Sequence, residues 1–203
     1  MTLDYYNENA DAYCQTTRYT DMASAYEVFL ADLPEGARLL DAGCGSGRDS
    51  AAFLAQGYRV TAFDGSSEMA TRAAQWVRQQ VQDTRYFTLS TRRFDEVREI
   101  AAYDGVWASA SLLHVPAAEL PDALARLWQA IKPGGRLYFS FKLGQGERSD
   151  SLGRHFTDAD ENQILAWVSA LKHVGELKLW RSGDQQGREV VWVNGVVYRE
   201  TDP

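Results

Sequence analysis

The apolar positions of this chain change their period several times, and each change marks an element. Met22, Ala25, Tyr26, Phe29, Leu30 and Leu33 recur at helical spacing on one face, and Pro34-Glu35-Gly36 ends that helix. The run Arg38–Gly43, "RLLDAG", reads as a short buried strand. A helix is predicted from about Arg48 to Gln56, stopped by Gly57. Tyr58–Asp64 is rich in β-formers, and Ser66 or Ser67 is placed to cap a helix running to about Gln80. Arg85–Ser90 and Tyr103–Ser111 read as the next strands. Leu120, Ala123, Leu124, Leu127, Trp128 and Ile131 then return to helical spacing, Lys132-Pro133-Gly134-Gly135 ends that helix, and Arg136–Lys142 is a fifth strand. Thr157 is placed to cap a helix whose Ile164, Leu165, Val168 and Leu171 share a face. Glu176–Ser182 and Glu189–Glu200, joined across "GDQQG", form an antiparallel hairpin.

Strand–helix alternation of this kind implies an α/β fold: a Rossmann-like, doubly wound sheet, mostly parallel, with helices on both faces. Five strands plus the closing hairpin give seven. No repeat, low-complexity tract or linker divides the 203 residues, so they are expected to form one domain over 1–203, with 1–21 as an amino-terminal cap segment.

Composition narrows the functional classes. The formal net charge is −7, whereas a nucleic-acid binder needs a basic face to neutralise phosphates; nucleic acid is disfavoured as a partner. No stretch approaches the roughly 20 apolar residues of a membrane span, and the polar, acidic start "MTLDYYNENADAY" is not a signal peptide. A cytoplasmic protein without membrane association, monomeric or homodimeric, is the expectation. Two cysteines, Cys14 and Cys44, make neither a disulfide framework nor a zinc site, and His114, His155 and His173 stand too far apart for a metal-ligand spacing. No metal is expected.

The chemistry concentrates in Asp41-Ala42-Gly43-Cys44-Gly45-Ser46-Gly47, between the first strand and its helix. In an open parallel sheet the ligand sits beyond the carboxyl ends of the strands. There Gly43 permits the turn, Gly45 permits close approach of the backbone, and Gly47 opens a helix whose free N–H groups face the ligand. A dinucleotide wants a third glycine where this chain has Arg48. S-adenosylmethionine instead lays an amino-acid tail where the pyrophosphate would go, and Asp41 suits its ammonium, directly or through water. Asp64 ends the second strand and suits the hydroxyls of an adenosine ribose in either case. Met69 either packs on the adenine or is simple core.

With "LLDAGCGSGRDS", Asp64, "YDGVWASASLLHV" and "IKPGG" in place, the chain resembles the class I S-adenosylmethionine-dependent methyltransferases from about Met22 to Leu143, and the trailing hairpin fits that family's sheet. "YYNENADAY" and the stretch ending in "RHFT" are similar to a bacterial subgroup described as tellurite-resistance-related. The resemblance implies that Asp41, Gly43, Gly45 and Gly47 hold the methionine part, flanked by Arg48. It implies that Asp64 takes the ribose with Gly65 and Ser66 beside it, that Phe94 or Asp95 lies near the adenine amine, and that Trp107, Ala108 and Ser109 pass the cofactor. The product would be S-adenosylhomocysteine.

Methyl transfer from a sulfonium is an in-line displacement that needs alignment and exclusion of water more than it needs a catalytic dyad. His114 follows the fourth strand and is the candidate base; its alternative is a structural imidazole before Pro116. Residues 142–157 carry Lys142, Arg148 and Arg154 among glycines and read either as a substrate lid over an anionic acceptor or as a solvated loop. Tyr5, Tyr6 and Tyr13 either contact substrate or start a helix packed on the sheet. The expected activity is methyl transfer to a small molecule, anionic or a soft nucleophile. Its alternatives are a non-catalytic S-adenosylmethionine-binding partner subunit and a nicotinamide-dependent oxidoreductase.

Overall fold

A computed structural model describes residues 2–201. Among the described residues seven strands form one sheet; in order across it they are Phe87–Thr91 (β3), Arg59–Asp64 (β2), Arg38–Ala42 (β1), Tyr103–Ala108 (β4), Ile131–Lys142 (β5), Val191–Arg199 (β9) and Val174–Gly183 (β8). β1 to β5 run parallel. β8 and β9 close the edge as an antiparallel hairpin, with β9 inserted against β5. The order reverses between β1 and β4, where adjacent crossovers leave in opposite directions and open a crevice above the strand ends.

Side-chain alternation along the strands feeds two cores. Leu39, Val60, Ala62, Trp107 and Tyr138 point to one face, where α2 (Ala23–Leu30), α3 (Arg48–Ala55) and α4 (Ser67–Gln80) cover them. Leu40, Phe63, Val106, Leu137 and Phe139 point to the other, under α5 (Leu120–Ala130) and α6 (Glu161–Ser169). Among the described residues no helix is long and apolar enough to cross a membrane.

Several expectations need correction. Residues 2–17 form a helix, α1 (Thr2–Thr17), kinked at Asn9, which packs along α4 and buries only the small Ala10 and Cys14; so narrow an apolar stripe leaves little periodicity to read. Within the 142–157 stretch the chain is not a loop: β6 (Gly146–Ser149) pairs with β7 (His155–Asp158) in a separate two-stranded sheet. Thr157 lies in β7 and its hydroxyl donates to the Val115 carbonyl (2.8 Å), so it caps nothing. Asp160 caps α6 instead, accepting from the Gln163 amide, and Leu165 on that helix is 50% exposed. The proline and glycines of 132–135 do not separate helix from strand; β5 already begins at Ile131, with an irregularity in its pairing to β4.

Candidate functional site

Loop 43–47 is pinned before any ligand is considered. The amides of Gly43 and Cys44 both donate to the Phe63 carbonyl of β2 (2.9 Å each), and the Gly47 amide returns to the Cys44 carbonyl (3.0 Å). Gly43, Gly45 and Gly47 all have positive φ, but their surroundings differ. A Cβ on Gly43 would lie 2.5 Å from the Ser111 Cβ, and one on Gly47 would lie 2.9 Å from backbone atoms of Ala73 in α4. On Gly45 the nearest atom would be the Met69 Cε at 3.9 Å. Gly43 and Gly47 therefore fit the loop against the protein, while the missing side chain of Gly45 leaves a cradle on the cavity side.

That cavity holds about 1100 Å³, above the roughly 300–1,000 Å³ of ordinary small-molecule pockets. Its first half is built by neighbouring segments: Gly43 to Ser46 of the loop, Asp64 and Gly65 at the end of β2, Met69 of α4, Phe94 and Asp95 after β3, and Ser109 to Ser111 after β4. The Asp64 carboxylate accepts the Gly45 amide on one oxygen and the Ser66 amide on the other (2.9 Å each). Burial raises its pKa, and these backbone donors counter that rise. Ala110, just past β4, has a positive φ without being glycine, and its amide donates to the Ser140 hydroxyl. Such strain clusters where a chain is shaped for a ligand.

The structure does not bring every candidate to the cavity wall. Asp41 is buried behind the loop, where it accepts the Ser50 hydroxyl (2.6 Å), and burial together with nearby Asp49 raises its pKa; it does not line the cavity. Gly47 packs against α4, and Ala108 is fully buried. Ser66 is the α4 cap, accepting from the Met69 amide (3.1 Å) and donating to Asn7 of α1 (2.6 Å). Met69 lines the cavity and also packs with Ala10 and Cys14. Phe94 sets its ring edge to face against Phe63 (5.3 Å) at the cavity edge, whereas Asp95 is exposed and pairs with Arg93 (3.4 Å). Trp107 is fully buried and turns away from the crevice.

Arg48 reaches the wall through a hub that the sequence does not announce. Its guanidinium forks onto both oxygens of Asp49 (2.7 and 2.8 Å) and touches the Thr17 carbonyl. Asp49 also accepts the Trp107 indole N–H (2.8 Å) and the Tyr26 hydroxyl. Trp107 stacks on Tyr138 with centroids 3.7 Å apart. The helix start beside the loop thereby carries a fixed, internally neutralised ion pair, and Arg48 holds the Asp49 carboxyl below its ordinary pKa.

The second half of the cavity draws on distant segments. His114, in a short 3₁₀ turn after β4, has a ring nitrogen 2.7 Å from the His155 carbonyl and the other 2.8 Å from the Tyr6 hydroxyl. A carbonyl only accepts, so Nδ1 carries the proton; Nε2 is then bare and accepts from Tyr6. Burial holds the imidazole down to about 4, helped by Arg154 and Lys142, so it is neutral at ordinary pH. Tyr6 meets Tyr13 edge to face (5.0 Å), and burial pushes both phenols up. Tyr5 does not line the cavity; it lies under the Arg154 guanidinium (4.8 Å), which itself does. Lys142, Phe156 and Arg188 complete this half. Sequence reasoning missed His155, Phe156 and Arg188, because only the β6–β7 and β8–β9 hairpins bring them there. Cys44 and Cys14 are buried free thiols, and burial pushes the Cys44 thiol up, away from nucleophilic use. Among the described residues, no group of three metal-ligating side chains gathers.

Comparison with known proteins bears on this geometry. The profile of a family described as a methyltransferase domain matches residues 14–176. A ubiquinone biosynthesis O-methyltransferase of Idiomarina loihiensis is 27% identical over 169 residues, covering 80% of this chain and 66% of that protein. An S-adenosyl-L-methionine-dependent Diels-Alderase of Talaromyces variabilis is 35% identical over 119 residues, covering 57% of this chain and 38% of that protein. The chain thus spans between about a third and two thirds of these curated relatives. Among solved structures, the 1,6-didemethyltoxoflavin-N1-methyltransferase of Burkholderia thailandensis, with bound 1,6-didemethyltoxoflavin and S-adenosylhomocysteine, is 25% identical with a TM-score of 0.76, covering 98% of this chain and 85% of that one.

Proposed function

The chain belongs to the methyltransferase-domain family, and on that premise we propose that it transfers the methyl group of S-adenosyl-L-methionine to a small-molecule acceptor. One observation carries the reading: a single cavity joins the backbone-walled half around Gly45 and Asp64 to the half that holds Tyr6 and His114. The cofactor supplies an already activated methyl on a positive sulfur; what remains for the protein is to grip, align and exclude water.

The residues fit that cofactor. The cradle at Gly45 admits close approach of a ligand to the main chain. Asp64 faces the cavity with two backbone N–H bonds holding its oxygens in place, and each oxygen keeps a lone pair for a ribose hydroxyl. Phe94 offers an apolar edge for a purine, with Met69 on the same wall. Asp41 lies behind the loop, so any part it has in holding the methionine ammonium is through water, beside the loop carbonyls and Asp49 at the wall.

At the other half, His114 receives the acceptor's proton. Its bare Nε2 already accepts from Tyr6, so the proton passes from the acceptor to the phenol oxygen as the phenol proton moves to Nε2. The resulting imidazolium keeps its Nδ1–H bond to the His155 carbonyl. An acceptor that attacks as an anion bypasses this step.

Calorimetry tests the cofactor assignment. S-adenosylhomocysteine should bind stoichiometrically while NAD does not. Binding of NAD in its place would reverse the assignment, and cofactor binding without methylation of any small molecule would turn the reading towards a non-catalytic partner subunit.

A further inference from the structure

Three cations line the acceptor end of the cavity, Lys142 at the end of β5, Arg154 from the β6–β7 hairpin and Arg188 from the β8–β9 turn, and a fourth, Arg148 of β6, stands behind them against Phe156. Three already have carboxylates of their own. Arg148 is held by Asp158, Arg154 by Asp150 and Arg188 by Asp184, each at 2.6 Å. Lys142 has none; among the described residues it forms no ion pair, and its ammonium rests over the Phe156 ring, 3.7 Å from the centroid. Arg148 and Arg154 crowd the same ring at 4.7 and 5.3 Å.

An ammonium drawn partly out of water among like charges is costly unless an anion joins it. The cost is visible: burial, then Arg148, Arg188 and Arg154, bring Lys142 down to about 8. Asp158 offsets it only in part, because Asp150, Asp158 and Asp184 are each already held by an arginine.

We propose that the missing partner is the acceptor molecule itself: the substrate carries a carboxylate or similar anionic group that Lys142 binds, which sets its reacting atom towards Tyr6 and His114. This rests on the reading of the cavity as a methyl-transfer site. The walls of the same end, Tyr6, Tyr13, Phe156, Trp180 and Trp192, are aromatic and suit a flat unsaturated body. The anionic class follows from the unmatched charge, the aromatic body from the wall.

Benzoate and its neutral isostere benzamide test this by calorimetry on the protein saturated with S-adenosylhomocysteine. Benzoate should bind about tenfold or more tightly than benzamide, as expected for a charge-assisted contact in a sheltered site. Lys142→Met should abolish that discrimination and leave S-adenosylhomocysteine affinity unchanged, which also shows that the variant is folded; Lys142→Arg should restore it. Equal binding of the two probes, absence of benzoate binding at millimolar concentration, or discrimination that survives in Lys142→Met would overturn the proposal. Failure of the wild type to bind S-adenosylhomocysteine would instead sink the underlying reading of the cavity.

Discussion

The two halves of the cavity are built by different means. The cofactor half is mostly main chain: glycines, amides donating to Phe63 and Asp64, and short exits from adjacent strands. The acceptor half is side chains delivered by α1, the turn after β4, β5 and two hairpins that lie far apart in sequence. Backbone geometry fixed by the sheet's switch point serves one ligand shape well. Side chains on appended elements can change without disturbing the sheet, so on the proposed reading the acceptor half is the one free to set specificity.

Four variants or conditions set the halves against each other. His114→Ala should leave S-adenosylhomocysteine affinity intact and lower kcat by about 10²–10⁴-fold on any acceptor that must lose a proton; unchanged turnover would remove His114 as base. Gly47→Ala forces a Cβ into the backbone of α4 at positive φ, at a cost of about 2–4 kcal/mol in urea unfolding. Gly45→Ala should cost less stability and more cofactor affinity, since its Cβ enters the cradle; the reverse ranking would mean that Gly45 is structural. Asp64→Ala should weaken S-adenosylhomocysteine binding by about 1.5–3 kcal/mol, the scale of a hydrogen bond to a charged group, and unchanged calorimetric affinity would contradict the ribose assignment.

A pH dependence acts on the acceptor half alone. The His114 imidazole takes a proton near 6.5 when unfolded and only near 4 in the folded chain. Between those values the unfolded state binds more protons, so this contribution to stability is complete above about pH 6.5 and falls as pH drops towards 4, by on the order of 3 kcal/mol. His114→Gln should flatten this part of a urea-midpoint profile; an unchanged slope would assign it to other groups.

The same contrast explains what the sequence could reveal. Parallel strands buried on both faces, the Ser66 cap of α4 and the glycine loop are local patterns, and each is readable within about ten residues. The position of Asp41 before the loop is legible, whereas its contact with the Ser50 hydroxyl is not. The β6–β7 hairpin escapes detection because all four residues of β6 are exposed, and its glycines and charges resemble a loop. Asp49 looks like any acidic residue in a first helical turn, and its tie to Trp107, 58 positions away, exists only once β4 lies beside β1. Proximity of His114 to Tyr6 and His155 likewise belongs to the tertiary fold.

His155 has a role beyond its own ring. Its amide donates to the Thr2 hydroxyl (2.9 Å), while its carbonyl fixes the His114 tautomer. Thr2 is thus linked to the His114 ring through a single residue. A Thr2→Ala change would remove the acceptor of the His155 amide and so reach the His114 ring through one intervening residue.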